Sequence, residues 1–263
     1  MAAASFVPLR IFSAYTMLEG AIQPDEIAAR ARELGFPAAA LVDRNGLYAA
    51  MPFCAAAFGK GVQPIIGTLL AVSRPGRAEG EDPIIDWLPL LAQDETGYEN
   101  LCALVSKAHL DRPLEEAPHV PFAALQGCTD GVIALTGGSE GALARLFEAE
   151  QDEAAHDYAD QLVALFPDRL YVEISRRGDP IEEASEEALI DLAYARDLPL
   201  VATNPAFFQR EDFHSAHDAM LCIADSNYVE SDDRRQSPQG AWLVPQEAME
   251  ERFHDLPEAL ANT

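Results

Sequence analysis

Short apolar runs alternate with helical patterns along most of this chain, and this alternation limits the possible folds more than any other feature. Runs of strand length lie at residues 38–42, 62–72, 84–92, 131–136, 170–174 and 200–203. Helical patterns lie at residues 24–34, 48–58, 98–110, 140–147, 153–166 and 182–196, and the part after residue 203 is predicted to be mostly helical up to Ala261. Alternating strands and helices favour a parallel sheet, which is either closed into a barrel or open and doubly wound. About seven strand–helix units fit the barrel better, and the doubly wound sheet stays open as an alternative.

The charge of the chain limits its partners. It has 44 acidic and 18 basic residues and a formal net charge of -26. Proteins bind phosphate backbones through clustered Lys and Arg side chains, and no Lys/Arg run is present here. We therefore expect no strong DNA binding by this chain alone. The acidity is interpreted as keeping a cytosolic protein soluble, with an acidic docking surface for a partner as the alternative.

Cysteine usage and the chain start indicate a soluble, cytoplasmic protein. The four cysteines form no Cys-x-x-Cys motif, so buried free thiols are predicted. The first residues have neither the basic nor the apolar region of a signal peptide. No apolar run approaches the roughly 20 residues that a membrane span needs, so no membrane association is expected. Residues 77–82 and 112–119 are predicted to be surface loops within a single domain of residues 1–263.

Two apolar runs end at polar residues in a way that predicts a functional site. One lies in the stretch of residues 9–20, which contains Arg10 and Phe12, and the other lies in the stretch of residues 41–45, which contains Asp43. Strands end in this way at the mouth of an α/β barrel, where active sites are built. The second run supplies a carboxylate. The first has an arginine and a phenylalanine where a metal enzyme would have histidines.

These motifs resemble those of the PHP (polymerase and histidinol phosphatase) family. The pattern Arg10-x-Phe12-Ser13-x-Tyr15-x-x-Leu18-x-Gly20 resembles the family's opening motif with both histidines of His-x-His replaced. Asp43-Arg44 resembles its second motif, Thr-Asp-His, with the histidine lost. Further strings narrow the resemblance to the N-terminal PHP domain of bacterial DNA polymerase III alpha subunits, and they lie at residues 64–67, 96–101, 166–173, 201–204 and 257–263. The resemblance covers nearly the whole chain in the expected order.

The resemblance implies a fold and a ligand set. The fold would be a distorted (β/α)7 barrel of the PHP type. An intact site of this family holds several metal ions, and a metal-bound water is the nucleophile. Of the family's ligands, Asp43 is kept, and the lost ligand positions are Arg10, Phe12, Arg44, Leu69, Trp87, Arg177, Pro205 and Phe207. The chain also has no histidine before His109. We therefore expect no catalytic residue, no bound metal and no cofactor in this domain.

The replacements suggest what fills the site. A buried carboxylate is costly unless it is paired, and guanidinium groups suit carboxylates. We hypothesise that Arg10, Arg44 and Arg177 occupy the lost metal volume and neutralise Asp43. The alternative is that Arg44 and Arg177 point to solvent.

Three weaker patterns have mainly structural interpretations. His214 and His217 are three residues apart on a predicted helix and could bind a metal, but a structural role is favoured because no third ligand is near. Gly137-Gly138-Ser139 is interpreted as a tight turn with a serine N-cap rather than a phosphate-binding loop. Glu182-Glu183 is interpreted as a pair of acids that match a helix dipole.

The resemblance implies a non-catalytic domain of a DNA-directed DNA polymerase. Its expected partners are a separate proofreading 3′–5′ exonuclease subunit, which would dock on it, and the remainder of the polymerase chain, whose own chemistry uses Mg. Residues 246–263 are expected to lead into that polymerase body. One alternative is a metal-dependent phosphoesterase or intrinsic 3′–5′ exonuclease. Another is the PHP domain of the error-prone alpha paralogue.

Overall fold

The computed structural model describes residues 6–76, 82–113 and 115–263. In this part of the chain the strands are β1 (Ala38–Leu41), β2 (Gln63–Ser73), β3 (Ile85–Ala92), β4 (Val120–Pro121), β5 (Val132–Leu135), β6 (Leu170–Ser175) and β7 (Leu200–Thr203). They form one sheet in the order β1-β2-β3-β5-β6-β7, and β4 pairs with β2 off this path. The predicted surface loop at 77–82 lies outside the described residues except for Asp82, and the described residues of 112–119 contain no helix or strand.

The sheet is closed by residues 8–12, which lie between its two ends. Ile11 pairs in parallel with Leu41 and with Ala206. The Phe12 N–H donates to the Ala206 carbonyl at 2.9 Å, and the Val42 N–H donates to the Ile11 carbonyl at 2.9 Å. This closing segment and the six strands of the main path make a ring, so the predicted distorted barrel is confirmed and the open, doubly wound sheet is wrong.

The expectation of a fully parallel sheet is wrong at β3. Strands β1 and β2 are parallel, as are β5, β6 and β7, but β3 runs antiparallel to both of its neighbours. A parallel crossover needs a dozen or more residues, usually with a helix. The link between Ser73 and Ile85 is too short for that, and the Arg74 N–H donates to the Ile84 carbonyl at 3.0 Å as in a hairpin.

The helices surround the barrel. They are α1 (Pro24–Glu33), α2 (Ala50–Lys60), α3 (Glu95–Leu110), α4 (Ala142–Glu148), α5 (Asp152–Leu165), α6 (Pro180–Ala195), α7 (His214–Ala224), α8 (Gln246–Arg252) and α9 (Pro257–Ala261). Helices α1 and α6 begin at Pro24 and Pro180, where the missing N–H would have no intrahelical partner anyway. No helix in the described ranges is long and apolar enough to span a membrane.

The sequence prediction of a mostly helical final third is wrong. Residues 225–245 lie between α7 and α8 and contain no helix. Pro238, Gly240 and Pro245 interrupt this stretch, and proline removes a helix donor while glycine gains backbone freedom outside a helix. Side-chain hydrogen bonds to α7 hold the stretch instead, among them those of His214 and His217 with Ser237.

Two apolar clusters lie on opposite faces of the sheet. Along β1 and the residue after it, Ala39 and Leu41 belong to the larger cluster, and Ala40 and Val42 belong to the smaller one. Successive strand side chains point to opposite faces, and the helices contribute to the larger cluster. The larger cluster is therefore the layer between sheet and helices, and the smaller one fills the barrel interior.

Close contact between α3 and Gly131, the residue before β5, gives the first test. A Cβ placed on Gly97 would lie 1.8 Å from the Gly131 carbonyl oxygen, whereas a Cβ on Gly59 of α2 meets no atom within 4 Å. We expect Gly97→Ala to destabilise the protein by about 1–3 kcal/mol through overpacking. Gly59→Ala should stabilise it by about 0.5–1 kcal/mol, because alanine is the better helix former. Urea denaturation of both variants measures the difference, and equal effects would contradict the packing described here.

Candidate functional site at the barrel mouth

Asp43 is the one ligand of the family that the sequence was expected to retain. Its carboxylate accepts hydrogen bonds from hydroxyl and amide donors. The residue is 1% exposed. Its Oδ1 accepts from the Ser13 N–H and the Thr16 hydroxyl, each at 2.8 Å, and its Oδ2 accepts from the Ser13 hydroxyl at 2.8 Å. Burial raises the pKa of Asp43 above its usual value, and the bonds from Ser13 and Thr16 oppose that shift in part.

The hypothesis that arginines neutralise Asp43 is wrong. In the described part of the chain no arginine side chain donates to its carboxylate. The reason is local. The chain turns back directly after the closing segment, and this turn places Ser13 and Thr16 in hydrogen-bonding contact with both carboxylate oxygens. The arginines do collect at the mouth, but they pair with glutamates.

Arg10 and Glu173 form a buried ion pair at the centre of the mouth. Their side chains are 1% and 0% exposed, and Arg10 Nη1 lies 3.0 Å from Glu173 Oε1. Glu173 also accepts from the Gly137 N–H at 3.0 Å and from the Thr203 hydroxyl at 2.5 Å. Three elements far apart in sequence therefore converge on one carboxylate. Sequence reasoning missed this role of Glu173, although a charge inside the apolar run of β6 was an available signal.

Arg44 joins the same network from the end of β1. Its Nε donates to Glu19 at 2.6 Å and its Nη2 donates to Glu140 at 2.5 Å. Glu140 accepts a second bond, at 3.4 Å, from Arg10. Burial raises the pKa of Glu140, but the charges of Arg44 and Arg10 outweigh burial and the net pKa is lowered. The alternative in which Arg44 points to solvent is therefore wrong, and Glu19 and Glu140 are site residues that the sequence analysis did not identify.

Arg177 lies at the mouth but pairs locally. Its guanidinium donates to Glu182 Oε1 from Nε at 2.9 Å and from Nη2 at 2.7 Å, and Glu182 Oε2 accepts from the Arg177 N–H at 2.7 Å. Both side chains are buried, at 6% and 3% exposed, so the solvent alternative is wrong for Arg177 as well. Glu182 lies in the first turn of α6, as its dipole-matched interpretation predicted, and it also neutralises a buried cation.

Apolar side chains occupy the other positions at which the resemblance implied lost ligands. Phe12 stacks on Phe207 with ring centroids 4.3 Å apart and planes at 1°. Leu69 belongs to the same interior cluster, and Trp87 packs against it. The Arg44 guanidinium lies over the Trp87 ring at 4.4 Å, a geometry that favours cation–π attraction. Pro205, which stands at the remaining position of this set, is buried as well.

The residues at the mouth do not fit a multinuclear metal centre. Metal ions of this kind need several oxygen, nitrogen or thiolate donors that converge with free lone pairs. In Asp43 and in Glu173, both carboxylate oxygens accept hydrogen bonds from protein donors. Over the described ranges, no three His, Cys, Asp or Glu side chains are grouped so that they could hold a metal ion.

His214 and His217 serve the fold of the stretch after α7. A carbonyl oxygen can only accept, so His217 Nε2 donates to the Glu19 carbonyl at 2.7 Å, and its Nδ1 accepts from the Ser237 hydroxyl at 2.7 Å. His214 donates to the Ser237 carbonyl at 2.8 Å. Burial lowers the pKa of His217, which agrees with a neutral ring. Both nitrogens of His217 are used, which supports the structural role.

The Gly137-Gly138-Ser139 turn positions the ion pair. Gly137 and Gly138 have φ of 96° and 54°, a region that glycine adopts without strain. The turn presents the Gly137 N–H to Glu173 and its carbonyl to Arg10. The tight turn is confirmed, but the serine N-cap is wrong, because α4 is capped by Gly141 without a side-chain bond.

The hydrogen bonds that both oxygens of Asp43 accept give the second test. Asp43→Ala should lower the free energy of unfolding by about 1–3 kcal/mol, since the buried Ser13 and Thr16 donors would lose their acceptor. Asp43→Asn should cost less, because its amide oxygen can still accept and the Ser13 hydroxyl can accept from its NH2 group. Chemical denaturation measures both variants. An Asp43→Asn loss as large as that of Asp43→Ala would contradict this arrangement.

The buried ion pair gives the third test. Arg10→Met leaves Glu173 buried without a cation and should cost about 3–5 kcal/mol. The double variant Arg10→Met/Glu173→Gln should cost less than the sum of the two single variants, with a coupling energy of about 1–3 kcal/mol. A double-mutant cycle on the free energy of unfolding measures this coupling. Additive effects would mean that the two side chains do not depend on each other.

Sequence comparisons relate this chain to known proteins. Residues 8–177 match the family profile of the PHP domain. The chain is 43% identical over 263 residues to DNA polymerase III subunit alpha of Caulobacter vibrioides, an alignment that covers 98% of this chain and 23% of that protein. It is 35% identical over 264 residues to DNA polymerase III subunit alpha of Escherichia coli K12, with 98% and 22% covered. The chain therefore spans less than a quarter of the length of these relatives.

A solved structure shares the fold. The crystal structure named as a metal-dependent phosphoesterase from Bifidobacterium adolescentis has a TM-score of 0.51 to this chain at 15% identity, and the match covers 76% of this chain and 86% of that one. An identity this low shows a common fold and nothing about chemistry. With the family profile matched over most of its length, this chain belongs to the PHP domain family.

Proposed function

We propose that these residues form the PHP domain of a replicative DNA polymerase III alpha subunit and that this domain has lost hydrolytic activity. The observation that carries the proposal is the filling of the mouth. Guanidinium groups and aromatic rings stand at lost ligand positions, and Glu140 and Glu173 are bound to Arg10. A metal-bound hydroxide, the nucleophile of hydrolytic metal sites, needs an ion with an open coordination position, and this arrangement offers no set of ligands for one.

The domain would act as a structural module and a docking platform. The relatives at 43% and 35% identity are polymerase alpha subunits, so the remainder of such a chain is one partner. The second is a separate proofreading 3′–5′ exonuclease subunit, which would supply the editing activity that this mouth lacks. A net charge of -26 supports contacts with protein rather than with DNA. The Mg of the parent polymerase would bind outside this domain. The protein would work in the cytoplasm, where replication takes place.

The competing functions predict different chemistry. A metal-dependent phosphoesterase or intrinsic exonuclease would need free ligands beside Asp43, and both of its oxygens are already bonded. The error-prone alpha paralogue would share the degenerate mouth. The strings at residues 96–101 and 257–263 favour the replicative form.

Two measurements on the full-length chain that carries these residues test the proposal. A titration with the cognate exonuclease subunit should show saturable binding. The chain alone should leave 3′-ended single-stranded DNA intact with Mn²⁺ or Zn²⁺ added, and Asp43→Ala should not change that result. Metal-dependent cleavage that Asp43→Ala abolishes would assign the domain to the enzymes. Absence of exonuclease binding would remove the docking role and leave a stabilising one.

A further inference from the structure

Helix α7 presents an unpartnered apolar face. Its inward side buries His217, Leu221 and Cys222. The opposite side carries Ala216, Ala219, Met220 and Ile223 at helical spacing, partly or fully exposed, and Ile223 is 72% exposed. An apolar stripe at positions i, i+3, i+4 and i+7 is normally packed against something. Here it faces outward.

The loop after α7 carries two further exposed apolar side chains and is held to the helix. Tyr228 is 79% exposed and Val229 is 51% exposed. The Arg234 guanidinium donates to both oxygens of Asp218 on α7, at 2.9 and 2.7 Å, and to the Val229 carbonyl at 3.1 Å. The exposed residues of the loop are therefore anchored to the helix. A surface fixed in advance loses less entropy on binding.

Acidic side chains without cationic partners flank the apolar residues. Five exposed carboxylates precede or follow α7, and none has a cationic side chain within 4.0 Å among the residues that the structure describes: Glu211, Asp212, Glu230, Asp232 and Asp233. The two arginines in the loop are already paired, Arg234 with Asp218 and Arg235 with Asp225 and Glu19. The rim is therefore negative around an apolar centre.

This charge pattern limits what can cover the face. DNA and anionic membranes carry phosphate charge of the same sign as the rim and are repelled. A second copy of this chain would bring two bodies of charge -26 together, and a large net charge favours separation. A polypeptide with an apolar face and basic flanks satisfies both the apolar centre and the acidic rim.

We propose that the outer face of α7, with Tyr228 and Val229, is the docking surface for a basic amphipathic segment of a partner protein. The inference rests on the proposed docking function and adds its location and the chemistry of the segment. Apolar side chains of the partner pack on Met220, Ile223 and Tyr228. Its Lys and Arg side chains pair with the carboxylates of the rim, which speeds encounter and selects against acidic competitors.

The chain offers a matched control surface. Met51 and Phe58 on α2 are 79% and 67% exposed, so they are as accessible as Ile223 and Tyr228. No Asp or Glu lies between Asp43 and Glu79, so this second apolar pair has no acidic rim on its own helix. Three variants of the full-length chain are compared with the wild type: Ile223→Gln/Tyr228→Gln, Met51→Gln/Phe58→Gln, and Glu230→Gln/Asp232→Asn/Asp233→Asn.

Each variant is titrated with the cognate exonuclease subunit at low and at physiological salt. Ile223→Gln/Tyr228→Gln should weaken binding at least tenfold, and Met51→Gln/Phe58→Gln should leave it unchanged. The rim variant should bind more weakly and show a shallower dependence on salt, because fewer ion pairs form. Unchanged binding by Ile223→Gln/Tyr228→Gln, or a larger loss in the α2 control, would overturn the inference while the docking function stood.

A second probe covers the case in which the wild type does not bind the exonuclease at all. That result removes the docking function, and the surface is then titrated with a 16-residue Leu/Lys amphipathic helix and with its Leu/Glu counterpart. The Leu/Lys helix should bind the wild type and lose at least tenfold in affinity to Ile223→Gln/Tyr228→Gln. Equal binding of the two peptides, or no effect of the variant, would overturn the assignment of this surface.

Discussion

The buried ion pair between Arg10 and Glu173 is the interaction on which the barrel mouth depends. A charge removed from water is tolerated only with a partner and with hydrogen bonds to its remaining atoms. Glu173 meets this requirement through the Gly137 amide and the Thr203 hydroxyl, and Arg10 meets it partly through Glu140 and the Gly137 carbonyl. Glu173 of β6 thus joins three other parts of the barrel at one point: the closing segment, the turn that follows β5, and the end of β7.

The guanidinium groups do part of the structural work that metal ions do in a site of this shape. A divalent ion gathers carboxylates by its charge, and a planar guanidinium gathers them through fixed pairs of donors. Arg10 and Arg44 share Glu140, and Arg44 also holds Glu19. His217 donates to the carbonyl of Glu19, so the network reaches α7. The mouth is therefore cross-linked by ion pairs and hydrogen bonds that connect the closing segment, the residues after β1 and α7.

The sequence predicted the barrel and the place of the site better than it predicted the contacts inside it. Apolar runs and helical periods are local, so the ring of strands was predictable, and Phe12, Asp43 and Arg44 do meet at its mouth. The partners of the charged side chains were not predictable. Arg10 and Glu173 are separated by 163 residues, and nothing in either local pattern selects one carboxylate over another. Arginine was expected on Asp43, but Ser13 and Thr16 satisfy it from the adjacent turn. The reversed direction of β3 was missed because an apolar run carries no sign of its direction.

Anomalous diffraction from crystals soaked in Mn²⁺ or Zn²⁺ tests the central claim most directly. If guanidinium groups and aromatic rings have replaced the metal centre, the anomalous difference map should have no peak at the mouth, and Arg10 should remain bonded to Glu173. Two or more peaks beside Asp43, with Arg10 or Arg44 displaced to admit them, would show that the mouth still gathers metal ions and would contradict the account.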